Sequence, residues 1–250
     1  MSEKLDGVRA IWTGSTFLSR LGNPFYAPAW FTKKLPKDRV LDGELFTARG
    51  DFQKCVSIVR TQDNPDAWKF TVSYRVFDIP SERNLSFEDR MKSLKKLFEF
   101  INGPDGLRTP WLRLVDHEIC KNKAHLIEKL DEMGRLGGEG MMIREPGSLY
   151  EEGRSKTLLK VKRFLDCDAI VRGHEQGQGR NAGVCGALRC EMLTGVGGKP
   201  NGVFFKCGSG LTDKLRSKPP KIGSVIIVKY QELSKSGNPR FPTFQGVRAD

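Results

Sequence analysis

At 250 residues, 38% hydrophobic and 29% charged, the chain has enough apolar material for two compact cores, and no run reaches the roughly 18–20 apolar residues of a membrane-spanning helix. Lys and Arg number 42 against 30 Asp and Glu, a net charge of +12 spread over both halves; this favours a polyanionic partner, nucleic acid first, with a basic surface lacking any specific partner as the plain alternative. The six cysteines form no C-x-x-C pair and have three histidines to assist them, which argues against zinc and for buried free thiols in a reducing compartment, as at Cys167 before Ala169-Ile170.

In chain order, the first feature is Lys4-Leu5-Asp6-Gly7-Val8-Arg9, a K-x-D-G-x-R run that can present a nucleophilic lysine beside a carboxylate and an arginine on a glycine-permitted turn. Four fixed residues used at roughly 5–7% each recur by chance at about one position in 10⁵. A surface turn with a Lys and an Arg remains the bland reading of these residues alone. No charged-then-apolar export signal precedes Lys4, although an upstream leader could have been removed.

Residues 8–12 and 16–19 flank Thr13-Gly14-Ser15, which predicts a hairpin with the lysine at its entrance. Further strands are predicted over 40–46 and where Phe70, Val72, Tyr74 and Val76 alternate with polar residues. Ser86-Phe87-Glu88-Asp89 resembles a capping box, and Met91, Leu94, Leu97, Phe98 and Ile101 follow at helical spacing until Gly103-Pro104. A second helix is expected over 124–133, its stripe of Leu126, Ile127, Leu130 and Met133 packing into the core. Strands resume over 140–144 and 158–162; beyond Phe164-Leu165, strand-like runs at 169–172, 187–192, 203–206 and 224–230 alternate with Gly-rich turns, the pattern of a small all-β barrel.

Five groups stand in order in the first part: Lys4 with Asp6 and Arg9, Asp42-Gly43-Glu44, Phe77-Asp78, Glu139-Gly140 and Lys160-Val161-Lys162. With them the chain resembles the covalent nucleotidyltransferase superfamily, specifically the ATP-dependent DNA ligases. Ser19-Arg20-Leu21-Gly22-Asn23-Pro24 and Tyr150 followed by Gly153-Arg154-Ser155 add to the likeness, and the run from Phe205 through Asp213 and Pro239-Arg240-Phe241-Pro242 resemble the compact bacterial ligases of the Lig E type. The fold expected is α+β: a nucleotidyltransferase (ATP-grasp-like adenylation) domain of antiparallel sheets with helices over 1–164, then an all-β OB-fold barrel over 165–250.

To displace pyrophosphate from ATP an amine must be neutral, although lysine ordinarily titrates at about 10.4; neighbouring positive charge from Lys160, Lys162 and a divalent cation disfavours the ammonium. The resemblance makes Lys4 the nucleophile and Asp6, in the same motif, a nucleotide-binding residue. Arg9 and Glu44 are implied at the ribose, Phe77 stacked on adenine, Lys160 and Lys162 on the phosphates, and Glu139 with Asp42 at Mg²⁺, for which Mn²⁺ can substitute. Lys160 and Lys162, two apart on a strand, share a face. From the residues alone, Phe77 also reads as core, Asp42 as a turn residue, and Lys160 and Lys162 as a solvated face. Arg20 and Arg154 are candidates for DNA phosphates, because a guanidinium forks onto phosphate oxygens; Arg154 could equally pair with Glu151 or Glu152. Lys206, Ser209 and Lys229 are barrel contacts to DNA, with plain solvated surface as the alternative. Arg240 and Arg248 resemble the final ligase motif, which closes over the β- and γ-phosphates; the motif's following lysine is missing, since the sequence stops at Asp250. The link from Thr194 to Pro200 reads as a hairpin loop, shorter than the DNA-encircling insert of some viral ligases.

The function implied is sealing of 5′-phosphate/3′-hydroxyl nicks in duplex DNA by a monomer, through lysyl-AMP and then an adenylated DNA 5′ end, with no membrane and no obligate protein partner. The compartment is open, the periplasm being the expectation for a Lig E-type enzyme and the cytoplasm or nucleus otherwise. An RNA ligase or a capping-type guanylyltransferase uses the same covalent lysine. A non-catalytic nucleic-acid-binding module is the alternative of a different class.

Overall fold

The computed structural model describes residues 1–62, 64–103, 109–234 and 236–248. Pro104, expected to stop a helix, and Asp250, where the final motif breaks off, lie outside the described residues. The chain divides into two units, Met1–Lys162 and Arg163–Asp250.

The first unit runs β1 (Ser2–Glu3), β2 (Val8–Trp12), β3 (Phe17–Leu18), β4 (Pro24–Phe25), α1 (Ala29–Thr32), β5 (Leu41–Phe46), α2 (Phe52–Arg60), β6 (Ser73–Asp78), α3 (Phe87–Asn102), β7 (Leu112–Leu114), α4 (Lys123–Arg135), β8 (Met141–Arg144) and β9 (Leu158–Val161). Its larger sheet has six strands in the order β4-β3-β2-β5-β6-β7, antiparallel except for the parallel β6 and β7 pair. A three-stranded sheet, β1-β8-β9, is antiparallel throughout. Strand alternation sorts the large sheet's faces: Ala10, Trp12, Leu41, Leu45, Tyr74 and Val76 turn into a core shared with Phe17, Phe31, Trp68 and the α3 residues Leu94 and Phe98. Fully burying each large apolar side chain there contributes about 1.5–3 kcal/mol. Its aromatic rings meet edge to face, as Phe17 does with Tyr74 at 4.8 Å between centroids.

Ser86 caps α3, its hydroxyl accepting from the Asp89 amide. Two expectations need correction. Phe70 lies outside β6, with φ of 56° and its side chain in solvent, so the alternation begins only at Val72. The α4 stripe is not core: none of its residues is buried, and Ile127 is exposed.

The second unit comprises β10 (Leu165–Gln176), β11 (Cys185–Leu193), β12 (Pro200–Cys207), α5 (Asp213–Ser217), β13 (Val225–Tyr230) and β14 (Thr243–Val247). They form one antiparallel five-stranded sheet, ordered β12-β11-β10-β13-β14. An isolated parallel bridge, Ser209 with Thr243, joins the segment after one edge strand to the other edge strand, giving an OB-like sheet curled around Ala169, Val171, Leu188, Ile226 and Val228. The six cysteines are free; Cys55, Cys185, Cys190 and Cys207 are buried, whereas Cys120 and Cys167 are half-buried. Among the described residues no helix is long and apolar enough to cross a membrane.

Candidate active site

Opposite the core, the large sheet carries a polar face. Register places Arg9, Glu44 and Arg75 side by side across β2, β5 and β6, with Asp42 and Phe77 two residues along their own strands. Arg9 reaches diagonally to Asp42. Its Nε donates to Oδ1 at 3.0 Å and its Nη2 to Oδ2 at 2.6 Å, a bidentate fork on a carboxylate with no exposed surface. The Tyr150 hydroxyl donates to the same Oδ2 at 2.9 Å. Burial pushes Asp42 above the ordinary carboxylate range, opposed by its bonds to Arg9 and Tyr150. Phe77 is half-buried, with the Arg9 guanidinium 5.9 Å from its ring centroid.

Lys4 sits in the turn between β1 and β2, where two glycines allow close packing. A Cβ on Gly7 would stand 2.3 Å from the Leu45 carbonyl oxygen and 2.8 Å from the Glu44 Cγ, so only glycine lets the turn lie against β5. Gly140 has φ of 154°, and a Cβ there would stand 2.3 Å from the Val161 carbonyl oxygen. The Lys4 amide donates to the Gly140 carbonyl at 2.9 Å, fixing the lysine's backbone beside Glu139. The Lys4 Nζ then donates to Glu139 Oε2, while the Lys162 Nζ pairs with Oε1. Glu44 stands among these charges and is pushed up to about 8, chiefly by burial, with Lys4 and Arg9 pulling it down and Asp42 and Glu139 adding to the rise.

The structure thus gathers Lys4, Arg9, Asp42, Glu44, Phe77, Glu139 and Lys162 within the first unit. Asp6 is half-buried in the same turn, and Lys160 lies exposed on β9 opposite Met142. Asp42, expected with Glu139 at a metal, instead has both oxygens engaged by Arg9 and Tyr150, which makes it the arginine's anchor. Glu139 also has both oxygens engaged, by Lys4 and Lys162, yet its side chain keeps 14% exposure where that of Asp42 keeps none, and Mg²⁺ takes only one or two carboxylates alongside nucleotide phosphates, so Glu139 is the carboxylate more open to a cation. Among the described residues no three His, Cys, Asp or Glu side chains converge on a common metal position.

Arg20 projects from the turn joining β3 and β4, which is closed by the Ser19 hydroxyl accepting from the Asn23 amide at 3.0 Å. Arg154 is exposed, and the carboxylates offered to it by the sequence are used elsewhere: Glu152 pairs with Arg83 at 3.1 Å, and Glu151 accepts from the Thr157 hydroxyl at 3.0 Å. In the second unit Lys206 pairs with Glu175 at 3.1 Å, Lys229 stands 4.6 Å from the Phe164 ring centroid, and Ser209 is exposed beside its bridge to Thr243. Arg240 pairs with Glu232, and Arg248 with the buried Asp168 at 2.9 Å. A cleft of about 610 Å³ in the first unit, between Leu35 and Phe100, contains none of these residues.

Sequence reasoning missed a buried cluster behind the polar face. Asp78 receives Arg90 on both oxygens, at 2.7 and 3.2 Å, and Arg144 at 2.9 Å. Arg90 also donates to the Leu85 and Ser148 carbonyls. The available signal was an arginine four residues before Leu94 on the apolar side of a helix, where it needs a buried partner.

Two family models match: an ATP dependent DNA ligase domain over residues 1–162 and a DNA ligase OB-like domain over 176–248. The DNA ligase of Haemophilus influenzae is 36% identical over 244 residues, covering 98% of this chain and 84% of that protein. The DNA ligase of Thermococcus onnurineus is 29% identical over 73% of the chain, which spans only 38% of that longer protein. Among solved structures, a Lig E DNA ligase superposes with a TM-score of 0.86 at 37% identity, covering 99% of this chain and 91% of the other. The Chlorella virus DNA ligase-adenylate superposes with a TM-score of 0.55 at 27% identity, covering 100% of this chain and 91% of that one.

Proposed function

The chain belongs to the ATP-dependent DNA ligase family, and from that membership we propose that Lys4 is the residue on which it carries AMP while sealing 5′-phosphate/3′-hydroxyl nicks in duplex DNA. The observation that carries the reading is the Lys4 amine held beside Glu139 and Lys162, in the same unit as the arginine, carboxylate and aromatic face of β2, β5 and β6. The Chlorella virus relative is described as a ligase-adenylate, the covalent state assigned here to Lys4.

In the first step the Lys4 nitrogen bonds the α-phosphorus of ATP as the bond to the pyrophosphate oxygen breaks, and the amine loses its proton. Arg9, fixed on Asp42, and Glu44 address the ribose, Phe77 offers its face to adenine, and Lys160 and Lys162 receive phosphate oxygens. Mg²⁺, or Mn²⁺ in its place, would be held by Glu139 with the nucleotide's phosphates and neutralises charge there. In the second step the DNA 5′-phosphate oxygen takes the adenylyl group and frees Lys4. In the third, the 3′-hydroxyl attacks that 5′-phosphorus, AMP leaves, and the phosphodiester forms with loss of the hydroxyl proton. Arg20 and Arg154 hold the DNA phosphates, with Lys206, Ser209 and Lys229 along the second unit. Arg240 and Arg248 must exchange their carboxylate partners for pyrophosphate oxygens to serve the first step. The protein acts as a monomer.

Intact mass after incubation with ATP and Mg²⁺, then with nicked duplex, tests this. The expected result is one AMP on the parent protein, none on Lys4→Ala, no equivalent adduct from GTP, and loss of the adduct as the nick closes. AMP retained on Lys4→Ala overturns the assignment, and a GMP adduct redirects it to a capping-type enzyme.

A further inference from the structure

Tyr150 joins two parts of the first unit that have no sequence proximity. Its hydroxyl donates to Asp42 Oδ2 across 108 positions of chain, and Asp42 in turn carries Arg9 in its bidentate fork. The segment bearing Tyr150 is tied down along its length. The Gly147 amide donates to Glu88 at 2.9 Å, the Ser148 carbonyl accepts from Arg90 at 3.0 Å, and the Tyr150 amide donates to the Arg83 carbonyl at 3.2 Å. Arg90 is itself locked on Asp78 and lies 6.0 Å from the Tyr150 ring centroid. The phenol is therefore delivered to Asp42 by a rigid mount.

A fully buried carboxylate with one cation on it still has lone pairs to satisfy, and leaving one bare is costly. With Arg9 occupying one edge, the Tyr150 hydroxyl fills a remaining acceptor site on Oδ2. It thereby restricts rotation of the carboxylate plane, and the plane of Asp42 sets the plane of the guanidinium forked onto it. A guanidinium held in one plane meets its ligand without first being ordered.

We propose that Tyr150 is a positioning residue for ATP binding: its hydroxyl orients Asp42, and through Asp42 it fixes Arg9 for the nucleotide. The inference rests on the reading of Arg9 as a nucleotide contact. It assigns Tyr150 no contact with ATP.

The test follows self-adenylylation of the full chain against ATP concentration, for Tyr150→Phe, Arg9→Ala and the double variant. Tyr150→Phe keeps the ring against Arg90 and removes only the hydroxyl. Its half-saturating ATP concentration is expected to rise about five- to tenfold, less than for direct loss of a hydrogen bond between a ligand and a charged group because the effect is relayed through Asp42, with the maximal rate within about twofold of the parent. In the Arg9→Ala background the same change is expected to add nothing, because the hydroxyl acts only through Arg9. A general structural role predicts instead that the two effects multiply, and that result overturns the proposal. So does parent-like half-saturation in Tyr150→Phe while Arg9→Ala is impaired. Asp42→Asn is the second variant: it accepts the hydroxyl's hydrogen bond but loses the charge holding Arg9, so it must also raise half-saturation, and parent-like behaviour there overturns the relay. If Arg9→Ala itself keeps the parent's ATP dependence, the nucleotide reading of Arg9 fails and the inference with it, a pattern distinct from failure of the relay alone.

Discussion

Lys4 and Glu139, 135 positions apart in sequence, form an ion pair in which the carboxylate also receives Lys162 on its other oxygen. The pair places the reactive amine while compensating two ammonium charges that otherwise repel. Glu139→Gln keeps shape and hydrogen-bonding capacity but removes the charge. Losing the carboxylate that places the Lys4 amine and is proposed to hold the metal is expected to slow self-adenylylation roughly 10–100-fold. Initial rates of AMP incorporation check this, and a parent-like rate in Glu139→Gln would remove Glu139 from the site.

Glu44 links folding to pH. Burial raises its carboxyl to about 8 in the folded chain, from an ordinary value of 4.5. Between those values the folded state holds a proton that the unfolded state releases. Its contribution is full below the unfolded value and is lost as pH rises through about 8. The nucleotide-free protein should therefore lose melting temperature between pH 5 and 8 more steeply than Glu44→Gln, by several degrees at about 2–4 °C per kcal/mol for a chain of this size. Parallel melting curves for the two proteins across that range decide it; identical slopes rule out the coupling.

Asp78 holds two arginines, fully buried Arg90 and largely buried Arg144, so Asp78→Ala strands the Arg90 charge without water. Removing one partner of a buried ion pair costs about 3–5 kcal/mol. Lys69→Ala, which severs only the exposed pair with Asp66, costs far less. Urea unfolding of the two variants gives the comparison, and similar midpoints would show that the cluster is hydrated and flexible.

What was legible in the chain was chemistry written at short spacing. Lys4, Asp6, Gly7 and Arg9 declare themselves because they fall within six residues, at the turn into β2 and its first positions, and Gly7 is glycine for the close approach to Leu45. The turn at Thr13-Gly14-Ser15 revealed the strand over 8–12, and the alternation of Val72, Tyr74 and Val76 with polar residues revealed β6 because that strand has one apolar face. The role of Asp42 was not legible, since a carboxylate in sequence does not show which cation claims it; only register across β2 and β5 and the return of Tyr150 decide that. Arg90 hid for the same reason, its partner Asp78 lying on another element. The α4 stripe misled because helical period shows that a face is apolar, without showing that another element covers it. The strand at Thr243–Val247 escaped notice because Pro242 and Gly246 break its pattern.

Arg20 and Arg154 are the clearest tests of where DNA is held. Both are exposed, and Glu151 and Glu152, the carboxylates nearest Arg154 in sequence, are engaged by Thr157 and Arg83. If they grip phosphates, Arg20→Ala and Arg154→Ala leave self-adenylylation with ATP unchanged and weaken capture of nicked duplex, each lowering the salt dependence of binding by about one phosphate contact. Lysine at either position should recover the charge but not the forked geometry, so sealing returns only in part. The measurement is nick affinity from 50 to 200 mM salt together with the rate of AMP transfer from preformed adenylate. Loss of self-adenylylation in Arg154→Ala would instead place that arginine at the nucleotide, and an unchanged salt slope in both variants would move the phosphate grip elsewhere on the protein.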